Sequence, residues 1–441
     1  MRLDNVHEFY RSACSTATRT TKRASNDSDD ASASSECECI AQLVRVPDVN
    51  AVAARRVGNR KVAVDIFEQT TLRCLAIIED AESRSRTAAS GEAVCLSAAG
   101  CSIWIGRSNG DIVHHDLRCA PQQQQSQLAT SLPVCTLAAS DDSLLLALGC
   151  ERQATRKTTR KSTREAAPTV RSSECIGDGP VAQDDDDDAG VLIGFVDARQ
   201  PTRVLGVYEQ SHSDDVTALQ FERRSHDRLA SASADGLVNV FDLRHANESD
   251  ALQHCLNAES SVFRLAWSRT TNDGGVLERL QNGGRSLACV TDDDRTSVWN
   301  GAADCVYSAV NTGQQYAAVD FVVPSDDSTT NESLYVLWST AAGRLAVERI
   351  SERSSGRGRL KSSGKTELLL NVDMNDVSEH HNDAFYHSDL VRCALYDTES
   401  QLLYTGGDDG RLFVGKLRFE EQPCAKESWS RSRRHKRTWP Y

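Results

Sequence analysis

Short apolar segments that alternate in period two recur along the chain, and a polar turn separates the members of each pair. The stretch "LASASADGLVNVFDLR" (229–244) contains two such segments around an Asp-Gly turn. This alternation is typical of half-buried strands, and a tight turn favours Gly, Asn or Asp because one residue adopts a positive φ. The same pattern occurs in "IWIGRSNGDIVHHDLR" (103–118), "LACVTDDDRTSVWN" (287–300) and "LLYTGGDDGRLFVGKL" (402–417). The sequence therefore predicts a repeated β-hairpin.

The spacing within these repeats is regular. Asp235 lies six residues before Phe241, and Asp293 lies six residues before Trp299. A turn residue and an aromatic residue at a constant separation indicate that the second strand has the same length and register in each repeat. We therefore expect one structural unit to be copied along the chain.

A histidine also recurs upstream of the turn. His212 precedes Asp235 by 23 residues, and His387 precedes Asp409 by 22. Each histidine opens a strand-like segment, "HSDDVTALQF" and "HSDLVRCALY". This arrangement resembles the WD-repeat motif, in which an upstream His and a turn Asp frame the four strands of a β-propeller blade.

The WD-repeat resemblance also implies a buried polar network. In that family the His, a strand Ser or Thr, the turn Asp and a Trp are joined by hydrogen bonds. By position, the counterparts in the fourth repeat are His212, Ser231, Asp235 and Phe241. Because Phe lacks the indole N–H, we expect this network to be one donor short.

Weaker repeats fill the gaps between the clear ones. Counting them yields seven blades, at 51–80, 93–132, 133–209, 212–257, 258–311, 317–350 and 387–417. We therefore predict an all-β, seven-bladed WD-repeat β-propeller over residues 40–417.

Closure of the ring is a physical requirement, because an open array leaves two unpaired sheet edges. The last repeat ends at its third strand, near Leu417. Residues 40–47, "IAQLVRVP", lie just before the first repeat. We predict that they supply the missing outer strand of the last blade.

Four segments have a composition that does not support a packed core. They are rich in Ser, Arg or Asp, and their apolar content is too low to offset the entropy lost on ordering. We interpret them as a disordered N-terminal extension, a charged insert, a loop and a basic C-terminal tail, at 1–36, 151–189, 351–383 and 418–441 respectively.

Two stretches carry a closer resemblance within the WD-repeat family. "DGLVNVFD", followed by an acidic segment and "DAL", and "LLYTGGDDGRLFVGKL" are similar to the WD repeat-containing protein 89 proteins. The similarity covers the propeller and misses the N-terminal extension, the 151–189 insert and the basic tail. It implies a non-catalytic propeller.

Composition narrows the function further. Hydrophobic residues make up 39% of the 441 residues, enough for a large core, and no run approaches the ~18 apolar residues of a membrane span. The net charge of −13 argues against a general nucleic-acid-binding surface. The 15 cysteines are scattered, without a C-x-x-C pair. We expect an intracellular protein with protein partners and no membrane partner, and nucleic-acid binding through the tails is the least favoured of three functional hypotheses.

The sequence also contains two lookalikes of catalytic motifs. The segment "GRLKSSGKT" (358–366) places five residues between Gly358 and Gly364, where a phosphate-binding loop has four. We interpret it as a polar loop. The His, Ser and Asp of the fourth repeat match a hydrolase triad in composition, but the WD-repeat resemblance makes them structural. We therefore predict no enzymatic activity and no cofactor or metal.

Three repeats end in Asp-x-Arg. The pairs are Asp116 with Arg118, Asp197 with Arg199, and Asp242 with Arg244. Because residues two apart on a strand share a face, we expect each Asp to orient its Arg on one rim of the ring.

Two interpretations of these pairs remain open. Each pair is either a local surface ion pair, worth ~0–1 kcal/mol, or a docking element. The second interpretation rests on a resemblance to the WD-x-Arg motif of substrate receptors that dock on the adaptor of cullin-RING ubiquitin ligases. A non-catalytic interaction scaffold is the leading hypothesis, and such a substrate receptor is the alternative.

The basic tail has two interpretations as well. The cluster contains Arg431, Arg433, Arg434, Lys436 and Arg437. It fits a nuclear-import signal or a nucleic-acid patch, and a solvated charge run is the alternative. We expect the protein in the nucleus, the cytoplasm or both. The segment "TRKTTRKSTR" (155–164) mixes basic residues with Thr and Ser, so phosphorylation there would reduce its positive potential.

Overall fold

The structure is a computed structural model. It describes residues 2–10, 38–58, 62–79, 93–119, 126–129, 133–150, 191–199, 204–223, 227–268, 286–311, 316–323, 334–352, 360–367, 369–371 and 387–418. The predicted charged insert at 151–189 therefore lies outside the described residues, as do 11–36 of the N-terminal extension and 419–441 of the basic tail.

The first four sheets each contain four strands, written here from the innermost outwards. Blade 1 comprises β2 (Cys39–Val46), β3 (Ala51–Val57), β4 (Val62–Glu68) and β5 (Cys74–Glu79). Blade 2 comprises β6 (Ala93–Ala99), β7 (Ser102–Arg107), β8 (Asp111–Asp116) and β9 (Ser126–Ala129). Blade 3 comprises β10 (Val134–Ala139), β11 (Leu145–Cys150), β12 (Ile193–Asp197) and β13 (Val204–Tyr208). Blade 4 comprises β14 (Val216–Phe221), β15 (Arg228–Ser233), β16 (Leu237–Asp242) and β17 (Leu252–Asn257), with the short helix α1 (Glu248–Ala251) before β17.

The remaining three sheets complete the ring. Blade 5 comprises β18 (Val262–Ser268), β19 (Ser286–Thr291), β20 (Arg295–Trp299) and β21 (Cys305–Val310). Blade 6 comprises β22 (Ala317–Val322), β23 (Leu334–Ser339), β24 (Leu345–Glu352) and β25 (Leu360–Glu367). Blade 7 comprises β27 (Val391–Asp397), β28 (Leu402–Gly407), β29 (Leu412–Arg418), β1 (Arg2–Tyr10) and β26 (Leu369–Asn371). The predicted seven-bladed propeller is confirmed.

The innermost strand of every blade contains a register shift near its start. In blade 4 it lies between Val216 and Ala218, and in blade 5 between Val262 and Arg264. The other five blades show it at the corresponding place. A β-bulge adds one unpaired residue and increases the local twist. All seven innermost strands therefore have an unpaired residue and an increased twist at the same place.

The prediction that residues 40–47 close the ring is wrong. These residues belong to β2, which pairs with β3 from Cys39↔Val57 to Val46↔Ala51 and is the innermost strand of blade 1. A 3-10 turn, Pro47–Val49, joins the two strands directly. Consecutive strands with a short connection usually pair with each other, so this segment is committed to the first blade.

The outer strand that completes blade 7 comes from the start of the chain instead. Strand β1 pairs antiparallel with β29, from Arg2↔Arg418 to Tyr10↔Leu412, with two register shifts. Strand β26 pairs parallel with the other edge of β1. Residues 2–10 thus form a strand, in contrast to the disordered extension predicted for 1–36.

A polar cluster also joins the first and last blades. Arg45 Nη1 lies 2.6 Å from Asp397 Oδ1, and Arg45 Nη2 lies 2.6 Å from Glu399 Oε2. The buried carboxylate of Asp397 also accepts a hydrogen bond from the Gln69 amide, and the Tyr404 hydroxyl donates to the Gln69 carbonyl oxygen at 2.8 Å. The seam is therefore held by side chains as well as by β1.

Part of the loop predicted at 351–383 is a strand. Strand β25 occupies 360–367 and pairs with β24, including Val347↔Thr366 and Glu348↔Lys365. The polar segment that mimics a phosphate-binding loop therefore contributes to the outer strand of blade 6. Without it, the outer edge of β24 would have unpaired backbone groups.

The core consists of apolar clusters between adjacent blades. Between blades 2 and 3, Trp104 packs in one cluster with Leu148, and between blades 5 and 6, Trp338 packs in another with Val290. Packing of neighbouring sheets over such clusters holds the ring together. In the described part of the chain, no helix is long and apolar enough to cross a membrane.

Candidate functional site

The upper end of blade 4, where β15 turns into β16, contains a buried polar network. His212 Nδ1 lies 3.2 Å from Asp235 Oδ2, and His212 Nε2 lies 2.7 Å from Ser231 Oγ. Asp235 also accepts the backbone N–H groups of Ser213 at 3.0 Å and Leu237 at 2.9 Å. The structure thus brings together the three polar residues that the sequence assigned to this network.

Phe241 and Asn239 complete this network in an unpredicted way. Phe241 is fully buried and packs against Tyr208, with the ring centroids 5.1 Å apart. Asn239, two residues earlier on β16, donates from Nδ2 to the Ser211 carbonyl oxygen at 2.6 Å and lies 3.5 Å from His212 Nε2. The amide therefore adds a donor beside the histidine where the aromatic residue has none. The sequence signal for this role was the polar Asn239 between two valines, because residues two apart on a strand face the same side and Asn239 therefore faces the side of Phe241.

The network controls the charge of Asp235. Burial raises its pKa, but the hydrogen bonds from His212 and from the backbone of Ser213 and Leu237 outweigh this effect and lower the pKa to about 2. An ionised carboxylate can only accept hydrogen bonds, so the imidazole Nδ1 is the donor in its contact with Asp235.

The Asp–His–Ser order matches that of a hydrolase triad, but its surroundings differ. The Ser231 side chain is fully buried inside β15, and the side chains of His212 and Asp235 are 1% and 6% exposed. A nucleophile must reach a substrate carbonyl, and this hydroxyl is enclosed on all sides. The arrangement is a structural network.

Blade 7 contains the second network of this kind. His387 Nδ1 lies 2.9 Å from Asp409 Oδ1, and His387 Nε2 lies 3.0 Å from Thr405 Oγ1. Phe413 packs edge-on against the imidazole, with the centroids 4.5 Å apart. The sequence analysis missed Thr405, although it precedes Asp409 by four residues just as Ser231 precedes Asp235.

Blade 5 does not form such a network around Asp293 and Trp299. Asp293 accepts a hydrogen bond from Thr291, and its side chain is 42% exposed. Trp299 is buried in the apolar cluster between blades 4 and 5. At the position of the upstream histidine, four residues before the bulged strand begins, stands Ala258.

The three Asp-x-Arg pairs lie at the opposite, lower end of blades 2, 3 and 4. Each aspartate is the last residue of a third strand, β8, β12 or β16. The Arg Nη2 atom lies 2.6, 2.8 and 2.5 Å from Asp Oδ2 in blades 2, 3 and 4. The arginine side chains are 66%, 67% and 70% exposed. We call the surface formed by Asp116, Arg118, Asp197, Arg199, Asp242 and Arg244 the arginine rim.

The expected geometry of these pairs needs one correction. The arginines were predicted to share a strand face with their aspartates, but they lie in the turn beyond the strand. Each Arg backbone N–H donates to its own Asp Oδ1, at 2.9, 3.0 and 3.1 Å. A side-chain-to-backbone turn of this type is favoured by Asp, and it orients the guanidinium through the same carboxylate.

The guanidinium groups in turn stabilise the ionised carboxylates. The side-chain hydrogen bond from Arg199 lowers the pKa of Asp197 to about 2, and that from Arg244 lowers the pKa of Asp242 to about 2. Each pair is therefore fully ionised near neutral pH.

Exposed leucines lie near the arginine rim. Leu144 is exposed, and its carbonyl oxygen accepts the Ala198 N–H beside Arg199. Leu205 and Leu252, also exposed, lie at the lower ends of β13 and β17. This end of blades 3 and 4 thus presents apolar and cationic groups together. The basic cluster at 431–437 and the segment 155–164 lie outside the described residues.

Six four-stranded blades and a five-stranded seventh, with His–Asp networks at two of their turns, define a WD-repeat β-propeller. Known proteins agree with this class. The chain is 37% identical over 215 residues to "WD repeat-containing protein 89 homolog" of Dictyostelium discoideum. This match covers 48% of this chain and 51% of that protein. It is 26% identical over 244 residues to "WD repeat-containing protein GTS1" of Arabidopsis thaliana, covering 52% of this chain and 54% of that protein.

These matches have a limited span. The chain matches about half the length of these two curated relatives, and no protein-family model matches it. Among solved structures, a chain from "Crystal Structure of Mitotic Checkpoint Complex" superposes with a TM-score of 0.55 at 16% identity. That superposition covers 90% of this chain and 100% of the other, and it establishes the fold alone. The resemblance to WD repeat-containing protein 89 is confirmed.

Proposed function

We propose that this protein is an interaction scaffold whose docking surface is the arginine rim. The observation that carries the proposal is the repetition of one solvent-exposed, pre-oriented guanidinium in three successive blades. A rigid ring that presents equivalent side chains at fixed separations is suited to binding another protein without changing its own fold.

The chemistry of each pair supports docking. The Nε and Nη2 donors of Arg244 are engaged by Asp242, and the same holds for the other two pairs. Nη1 makes no side-chain hydrogen bond in the described part of the chain, so this donor and the flat face remain open to a carbonyl, a carboxylate or an aromatic ring. Because the carboxylate already fixes the side chain, binding costs less conformational entropy.

The neighbouring leucines support the same conclusion. Arg is enriched at the centres of protein interfaces, where it is flanked by groups that exclude water. Leu144, Leu205 and Leu252 are large apolar side chains left in solvent at that end of the ring. A partner that covers them would also desolvate the guanidinium groups.

The comparisons support an assembly role in general terms. The curated relatives are WD-repeat proteins, and the superposed chain comes from a crystal structure of a complex. A substrate receptor of a cullin-RING ubiquitin ligase is the second candidate. The observation that favours it is the exposed Arg244 after Phe-Asp-Leu, which resembles the adaptor-docking motif.

Affinity purification of the full-length protein followed by mass spectrometry tests both candidates. We expect Arg118→Ala, Arg199→Ala and Arg244→Ala, combined in one variant, to lose partners that wild type retains. The matched control is Arg392→Ala, because Arg392 is also exposed and bound by a carboxylate, Asp408, at 2.7 Å, but lies at the upper end of blade 7. An unchanged partner set in the triple variant would contradict the proposal.

The single variants then separate the two candidates. A receptor requires that the cullin adaptor co-purifies with wild type and is lost in Arg244→Ala. A scaffold requires only that other partners depend on the arginine rim. If wild type retains no adaptor, the receptor candidate is excluded.

We also propose nuclear import through the basic tail, supported by the density of Arg and Lys in 431–437. Deletion of 419–441 should shift a fluorescently tagged protein from the nucleus to the cytoplasm. The melting temperature should not change, because the deletion begins after the last strand of blade 7. An unaltered distribution would identify the tail as a solvated charge run.

A further inference from the structure

The channel at the centre of the ring contains a cavity of about 370 Å³. Its wall includes the residue that follows the bulge in each innermost strand, among them Cys95, Thr136, Arg264 and Asp320. The second strand of blade 1 also contributes Arg55. The volume lies in the range of small-ligand sites, ~300–1,000 Å³.

Arg55 is a partly buried cation that lines this cavity. Its Nη1 donates a long hydrogen bond to the Ala93 carbonyl oxygen, at 3.4 Å, and its Nε is buried without a hydrogen-bond partner among the described residues. The next residue, Arg56, forms ion pairs with two carboxylates, Asp65 at 2.8 Å and Glu38 at 2.9 Å. In the described part of the chain, no carboxylate forms an ion pair with Arg55. A buried charge is costly unless it is paired.

The groups around Arg55 increase the free-energy cost of its positive charge. Burial lowers the pKa of Arg55, and the positive charge of Arg264 lowers it further. Burial raises the pKa of the Cys95 thiol, and it raises that of Cys393 to about 12. These thiols are therefore neutral at physiological pH and supply no negative charge.

Arg264 is only partly neutralised. Its Nε donates to the Val319 carbonyl oxygen at 3.2 Å and lies 3.8 Å from Asp320 Oδ2. Desolvation raises the pKa of Asp320, which lines the cavity and whose side chain is 28% exposed. With two guanidinium groups and one carboxylate, the cavity has a net positive charge.

We propose that the central channel binds a small oxyanion of the phosphate class between Arg55 and Arg264. The anion supplies the charge that Arg55 lacks, and the planar guanidinium forks suit the bidentate binding of phosphate oxygens. A cavity of this size holds the ion together with several waters, each of about 30 Å³. The site is independent of the arginine rim, since its residues lie on inner strands and the rim lies at the ends of third strands.

Isothermal titration calorimetry with inorganic phosphate, at constant ionic strength in a chloride buffer, tests the site on the full-length protein. We expect saturable binding to wild type that Arg55→Gln weakens about tenfold or more. Arg264→Gln should weaken it as well, and Arg55→Lys should weaken it less than Arg55→Gln. The control Arg392→Gln removes an exposed arginine far from the channel and should bind as wild type does.

Thermal melting is a second measurement, and it distinguishes an arginine that binds an anion from one with a purely structural role. In phosphate-free buffer we expect Arg55→Gln to melt no lower than wild type, because the variant removes an uncompensated buried charge. Phosphate should then raise the melting temperature of wild type more than that of the variant. The comparison matters because phosphate stabilises folded proteins in general by exclusion from their surface.

Glycerol 3-phosphate, titrated in parallel, distinguishes a phosphate monoester from the free ion. Saturable binding of either probe that depends on Arg55 supports the proposal. The absence of binding by both probes, or equal binding by Arg55→Gln, overturns it.

Discussion

Blades 4 and 5 contain complementary parts of one motif. Blade 4 has His212 and Asp235 but Phe241 in the place of the tryptophan, whereas blade 5 has Asp293 and Trp299 but an alanine in the place of the histidine. Where the histidine is present, the turn aspartate is buried, and where it is missing, the aspartate is 42% exposed.

The two blades nevertheless have the same four-stranded order. One apolar cluster packs between them, with Val240 and Leu256 from blade 4 against Leu265 and Trp299 from blade 5. The difference shows that apolar packing between sheets is sufficient to form a blade. The His–Asp network is an addition that stabilises one turn.

The largest effect should come from apolar packing between adjacent blades, to which Trp299 contributes between blades 4 and 5 and Phe241 between blades 3 and 4. Trp299→Ala and Phe241→Ala each remove a buried aromatic side chain, so we expect each to lower the free energy of unfolding by ~3–5 kcal/mol. Chemical denaturation monitored by tryptophan fluorescence and circular dichroism measures this. A loss below ~1 kcal/mol in both variants would contradict the account that apolar packing between sheets forms the blade.

Removing the turn aspartate of blade 4 should have a smaller effect. Asp235→Ala leaves the His212 imidazole and two backbone N–H groups without their acceptor, and we expect a loss of ~1–3 kcal/mol. The rim-dependent partners should be retained. A variant as stable as wild type would show that the network contributes nothing to the fold.

The same aspartate should make the stability of blade 4 depend on acid. The pKa of Asp235 is about 2 in the folded protein, below the ordinary value of about 3.9, so its stabilisation is present above about pH 4. It is lost as the pH falls towards 2, because protonation then removes the acceptor. Melting temperatures of wild type and Asp235→Asn should therefore converge between about pH 4 and pH 2, and a constant gap would contradict this account.

The smallest effect should come from the turn aspartate of blade 5. Asp293→Ala removes a half-exposed side chain without a histidine partner, and we expect a change within ~0.5 kcal/mol. Its direct comparison with Asp235→Ala, in the same denaturation experiment, isolates the contribution of the histidine. A loss equal to that of Asp235→Ala would mean that Thr291 alone makes the turn as stable.

The sequence predicted most of the architecture because blades depend on local signals. Turn residues at a constant distance from an aromatic, and a histidine before the first strand, lie within one repeat and can be recognised without the others. Asp235 and Asp409 were identified in this way, and the structure places both in His-centred networks. The Asp-x-Arg pairs were equally local, since the two residues are adjacent to the same turn.

The features that the sequence did not reveal depend on backbone pairing. Strands β1 and β25 complete open sheet edges, which requires N–H and C=O groups and no apolar pattern. The polar segment "LKSSGKTE" therefore forms an outer strand despite its composition. Arg55 was also invisible as a binding residue, because its role arises from a channel that only the closed ring creates.

The closure by β1 has a consequence for the order of events during synthesis. Arg2 pairs with Arg418, so the ribosome makes one partner 416 residues before the other (418 − 2). At ~5–20 residues per second, the first strand waits on the order of 20–80 s for the edge it completes. Six blades can assemble as they emerge, but the seventh sheet cannot be completed until β29 has left the exit tunnel. The ring therefore cannot become a single closed body before the last blade has been translated.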